Sequence, residues 1–392
     1  NASFSVVASG PGLSYQWQEN TGSGFVNISG ATSDNYTKSG ITLVMNGYQY
    51  RVLVTGTCAP TVASNPAVMT VEAPPAITTQ PSSSAVCVGA NASFTVAASG
   101  TGLTYQWQEN TGSGFVNISG ATATSYTNSS VTAGMNGYTY RVIVTGACSP
   151  PATSNVVTLT VNQAPSITAQ PLDVAVCQGA NASFNVSVTG AGLLYQWQEN
   201  MGAGFVNISG ATASGYTKTG VTGAMNGYQY QVIVSGTCTP PVTSNPAILT
   251  ANTPPVIISQ PSASTTCVGS NAIFSAMATG SGLTYQWQEN TGSGFVNIAG
   301  ATSDIYTKSS VTPAMNAYTY RVIINGTCPP SVTSSTVTLT VIAAPAITTQ
   351  PIAVTLCAGA NATFSVAATG DALTYQWQEN TGSGFNNIAG AT

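Results

Sequence analysis

Between residues 93 and 161, apolar and polar positions alternate in short runs: SFTVAA (93–98), TYQWQ (104–108), FVNI (115–118), TYRVIVTG (139–146) and VVTLTV (156–161). Side chains two apart share one face of a strand, so this alternation predicts strands with one buried face. The residues between the runs are rich in Gly, Asn and Ser, and ENTGSG (109–114) reads as a hairpin connection. No segment carries an apolar stripe of helical period. Pro74, Pro75 and Pro81 rule out a helix at the start of this stretch and suit an edge strand or a linker. About seven short strands in roughly 90–100 residues predict an all-β sandwich.

The pattern recurs. YQWQENTGSGF stands at 15–25, 105–115, 285–295 and 375–385, and YQWQENMGAGF at 195–205. Trp17, Trp107, Trp197, Trp287 and Trp377 are each 90 residues apart, as are Cys58, Cys148, Cys238 and Cys328. A fixed long period marks a repeat array. The array divides into a partial repeat at 1–73 that lacks its first strand, and whole repeats at 74–163, 164–253 and 254–343. A second partial repeat at 344–392 lacks its last strands. The expectation is a window on a longer array. Junctions such as VEAPPAITTQP (71–81) and TANTPPVIISQP (250–261) leave almost no free linker.

Composition narrows the function. Only 4% of residues are charged, with 6 basic, 10 acidic and no His, against 43% hydrophobic. An ordinary soluble domain has roughly 25% charged residues. The surface must therefore be built from Thr, Ser, Asn, Gln and Gly, a nearly neutral surface that favours self-association. No basic patch exists for nucleic acid, and no apolar run approaches the roughly 20 residues of a membrane helix. Glu19, Glu109, Glu199, Glu289 and Glu379 recur in every copy, but equivalent carboxylates lie a domain apart and no His serves a nucleophile. The chain is expected not to be an enzyme. Neither a cofactor nor a metal is expected, because acids are too few for a calcium site. Glu109 is expected at the rim of the core, accepting backbone N–H bonds. Lys38, Lys218 and Lys308 share one repeat position that Asn128 fills in the second copy, which argues against an isopeptide crosslink. Eleven N-x-S/T sequons, Asn91 and Asn117 among them, read as turn chemistry.

Gly89, Phe94, Val96, Trp107, Tyr140 and Val142 resemble the immunoglobulin-fold pattern of a core Trp and a corner Tyr. Phe94, Val96, Trp107, Tyr140 and Val142 are the expected core, with Val96 and Val142 standing where that pattern places its disulfide cysteines. CVGANASFTV, YQWQ, YRVIVTGAC and SNVVTLTV look like the tandem Ig-like repeats of large secreted bacterial surface and adhesin-type proteins. The resemblance implies a linear array of immunoglobulin-like sandwiches, secreted and extracellular or on the cell surface. Regular cysteine pairs in such a chain suggest disulfides. Cys148 lies six residues beyond Val142, roughly 20 Å along its strand, and Cys87 precedes the first turn at the opposite pole. Head-to-tail stacking would then bring Cys87 to Cys238 and Cys177 to Cys328. Bonds within a repeat, such as Cys87–Cys148, and free thiols are the alternatives. Cys58, Cys148, Cys267 and Cys357 are expected in further disulfides.

Parity puts Tyr105 and Trp107 on one strand face and Gln106 and Gln108 on the other, expected to be the solvent face, with Gln108 across from Arg141. Phe115 is expected to re-enter the core. The favoured function is a structural filament or rigid stalk whose partner is itself, through neighbouring repeats and identical chains. The alternative is an adhesin whose repeats present weak sites to surface glycans.

Overall fold

The computed structural model describes residues 1–392, and its elements are clearest in the second repeat. There β1 is Ala76–Thr79, β2 Ser84–Cys87, β3 Ala92–Thr95, β4 Ala97–Ser99 and β5 Thr104–Asn110. β6 is Phe115–Asn117, β7 Ser125–Asn128, β8 Thr139–Thr145, β9 Ala152–Thr153 and β10 Val157–Asn162. One sheet has the order β6-β5-β8-β10-β2, with β9 also on β8. The opposing layer pairs β1 with β4 and β3 with β7, interrupted at Val96, whose N–H donates to Thr124 O at 2.9 Å. This is an all-β immunoglobulin-like sandwich.

Alternation in the sequence becomes burial in the structure. β8 and β10 bury every second side chain: Tyr140, Val142 and Val144, then Val157, Leu159 and Val161. Trp107, beside Val142 in the same sheet, and Phe94 and Val96 from the opposing layer complete the core. Phe94 stacks on Tyr140 with ring centroids 4.7 Å apart, and the Trp107 indole N–H donates to Ala123 O at 3.0 Å. Burying a side chain the size of Phe94 stabilises by roughly 1.5–3 kcal/mol. No disulfide crosses this core: its centre is Val against Val.

The other copies repeat the pairing. Phe184 packs with Trp197 and Tyr230 in the third repeat, and Phe274 with Trp287 and Tyr320 in the fourth. In the first, Ser14–Asn20 pairs with Gln49–Thr55 as β5 pairs with β8. By contact density the chain forms two units, residues 1–166 with 188–194 and 234–242, and residues 167–187, 195–233 and 243–392.

Two placements differ from the sequence reading. Gln108 does face Arg141, but it is buried and Gln106 half-buried, so theirs is not a solvent face. The hairpin into β6 and the turn after it fold over them: Gln106 Nε2 donates to Trp107 O and Ile118 O at 2.8 and 2.9 Å. Phe115 does not enter the core. It lies opposite Asn110, so parity keeps it on the same outer face as the two glutamines, half-buried with the Arg141 guanidinium 4.1 Å above its ring.

Candidate functional site at the repeat junction

Cys87 ends β2, which runs parallel to β10 with Cys87 opposite Asn162. The chain then turns: Val88 N–H donates to Asn162 O and Ala90 N–H to Cys87 O, both at 3.0 Å. This register sets Cys87 beside the last strand residue of its own repeat, where the chain passes to the next. Cys238 lies in the loop after the strand Gln229–Ser235, a loop anchored by the Thr237 N–H on Ala191 O at 2.8 Å.

The two cysteines are joined, with Cα atoms 5.7 Å apart, inside the usual range for a disulfide. Cys177, opposite Asn252 at the end of its own parallel strand, is joined to Cys328 across the same 5.7 Å. Neighbouring repeats are therefore in contact and covalently linked. Cys238 and Cys328 are buried, at 3% and 1% exposure.

Cys148 shows what the junction looks like without the bond. It is a free thiol that donates to Glu72 O at 3.4 Å. Glu72 stands one period before Asn162, whose carbonyl oxygen lies 3.5 Å from Cys238 Sγ. The loop thus meets the equivalent backbone carbonyl of the preceding repeat in both places.

Cys148 is free, so Cys87–Cys148 is not formed. Nor are the expected further disulfides of Cys58, Cys148, Cys267 and Cys357 present, since all four are thiols. Both disulfides join the cysteine that ends the second strand to one 151 residues later, in the loop after the eighth-strand position. Counted that way, none of these four has a cysteine at the matching distance within residues 1–392.

A second recurring group sits on the β5 equivalents. Glu19 accepts from Lys38 Nζ at 2.9 Å and from the Tyr50 hydroxyl at 2.5 Å. Glu199 with Lys218 and Tyr230, and Glu289 with Lys308 and Tyr320, repeat it. The backbone N–H partners expected for Glu109 are not formed, and at these three equivalent positions side chains donate instead. In the second repeat Asn128 takes the lysine position and donates to the Tyr140 hydroxyl at 3.1 Å. Burial pushes the Glu19 and Glu199 carboxyls up, but hydrogen bonds from tyrosine and lysine and the charge of lysine outweigh it and hold both below 4.5. Burial, with the neighbouring carboxylate, pushes the Tyr50, Tyr230 and Tyr320 hydroxyls up. Glu19, Glu199 and Glu289 are each held by a lysine and a tyrosine, an arrangement that braces strands.

The Gln106 and Gln108 amides are also engaged. Gln108 Nε2 donates to Asn117 Oδ1 at 2.8 Å while its Oε1 accepts from Arg141 Nε at 2.7 Å. Every aromatic of residues 74–163 is buried or half-buried. The brace and the Arg141–Phe115 stack were not foreseen, although the shared position of Lys38, Lys218 and Lys308 was the signal for the brace.

The family described as "Domain of unknown function (DUF8696)" matches residues 1–73, 76–163, 167–253 and 257–343. Endoglucanase C of Cellulomonas fimi is 38% identical over 133 residues, which is 33% of this chain and only 12% of that protein's length. Among solved structures, the titin I-band fragment I67–I69 aligns at a TM-score of 0.47 and 15% identity, over 69% of this chain and 99% of its own. Immunoglobulin domains 1–5 of Sidekick-1 align at 0.41 and 16%, over 88% of this chain and 77% of theirs.

Proposed function

The chain belongs to the DUF8696 family, and we propose that its repeats form a structural element, an extracellular filament or rigid stalk of a bacterial surface, with no catalytic role. The observation that carries the reading is the covalent bond between consecutive repeats, Cys87–Cys238 and Cys177–Cys328. A bond from one sandwich to the next restricts bending at the junction and does nothing for either core. Disulfides persist in oxidising compartments, which supports secretion. Near-identical copies suit a part whose job is length, since each repeat needs only to match its neighbours.

The adhesin reading, in which repeats present weak glycan sites multiplied by avidity, draws on the partial likeness to a protein named for its action on glucan. It needs exposed aromatics on the whole repeats, and those of the second repeat are occupied in packing.

Electron microscopy of unreduced material tests the proposal. Uniform fibres with an axial repeat of roughly 40 Å, the length of about 12 extended residues, are expected. Short, bent, beaded strands would overturn the stalk.

A further inference from the structure

The four bonded cysteines occur along the chain in the order Cys87, Cys177, Cys238, Cys328, while the bonds run Cys87–Cys238 and Cys177–Cys328. The two loops therefore interlock, each enclosing one end of the other. We propose that this interlocking is a mechanical tether that sets a ceiling on how far the chain can be drawn out. The inference deepens the stalk reading, on which its biological use rests, while the tether itself follows from the bonds alone.

A pulled chain becomes taut along its shortest covalent route. With only Cys87–Cys238, that route bypasses residues 88–237, a stretch of 150. With only Cys177–Cys328 it bypasses 178–327, again 150. With both, the route runs forward to Cys87, crosses to Cys238, travels back through the third repeat to Cys177, and crosses to Cys328. It then leaves out residues 88–176 and 239–327, 89 in each stretch and 178 together. Of 392 residues, 214 remain on the route.

The effect of the pair is thus far from additive. Bonds within repeats would behave otherwise: Cys87–Cys148 and Cys177–Cys238 would hide 60 residues each, independently, 120 together. The bypassed stretches hold much of the second and fourth repeats. Force along the route cannot draw them out, so a repeat that opens keeps its ends close enough to refold.

Single-molecule stretching of the whole chain by its two ends tests this, with Cys58, Cys148, Cys267 and Cys357 replaced by serine. At about 3.5 Å per residue, adding a phosphine reductant is expected to lengthen the fully unfolded chain by about 620 Å. Removing one bond first, as Cys87→Ser with Cys238→Ser, should leave a reductant-sensitive length of about 520 Å. A gain of about 420 Å would mean bonds within repeats, and no gain would mean no bonds. Either overturns the tether. If the 620 Å gain appears in a protein that makes no fibres, the tether stands and the stalk reading fails.

Discussion

Glu199 is the most strongly held of the charged residues, with Lys218 Nζ at 2.8 Å, the Tyr230 hydroxyl at 2.5 Å and a side chain only 12% exposed. Its folded value lies below 4.5, so its stabilisation is complete above that pH and is lost as pH falls through the folded value. Lys218 is raised above 10.5 and Tyr230 above 10.0, so their stabilisation is complete below those values and is lost as pH rises through the folded ones. Stability should therefore be flat from about pH 5 to 9. Guanidinium melts at pH 3, 7 and 11 should give the highest midpoint at 7, and equal midpoints at 3 and 7 would remove the brace from the account. At pH 7, Glu199→Gln should cost about 1–2 kcal/mol, because Lys218 loses its charge partner in a half-buried place. Residue-scale detail of this kind was only partly legible. Parity separates Trp107 from Gln106 and Gln108, but it says nothing of what covers the second face. Here the chain covers it with its own hairpin, a contact between segments that alternation does not encode.

The strands were legible because each carries its own alternation, and β8 with β10 buries the side chains the pattern assigned to the inside. What alternation misses is where the chain must pass close to itself. Gly280 has φ +144°, and a Cβ there would stand 2.9 Å from Pro254 O, Pro255 Cα and Leu283 Cδ2. It follows Thr279, which pairs with Val256 in the first strand pair of the fourth repeat. The backbone conformation and the lack of space both require glycine. Gly280→Ala should cost about 2–3 kcal/mol, combining backbone strain with overpacking, and should lower the denaturation midpoint of the fourth repeat. A contrasting position checks the argument. Gly292 also has positive φ, +117°, but a Cβ there meets nothing within 4 Å. Gly292→Ala should therefore cost less, and equal losses at both sites would show that strain alone accounts for Gly280. Nothing in TGSGLTY separates one glycine from the other kinds in advance, since the crowding comes from the Pro254–Pro255 entry strand more than twenty residues upstream.

At the scale of the molecule, the disulfides and the cores are separate devices. The cores are closed by Trp, Tyr, Phe and aliphatic side chains, Val96 and Val142 among them in the second repeat and Ala276 and Val322 in the fourth, and the bonded cysteines stand outside these clusters. Reduction should therefore change how the chain unfolds and leave each sandwich intact. In the loop-entropy model, closing a loop of 150 residues stabilises by about 5 kcal/mol, through restriction of the unfolded chain. The expected result at pH 7 and 25 °C is that a phosphine reductant lowers the denaturant midpoint while the tryptophan emission spectrum before the transition stays unchanged. Trp107, Trp197 and Trp287 are fully buried, so loss of any one core would expose an indole and shift emission to the red. A red shift on reduction alone would mean that the bonds hold the sandwiches together as well as the junctions. An unchanged midpoint would mean that the bonds do not restrict the unfolded chain as their 151-residue spacing requires.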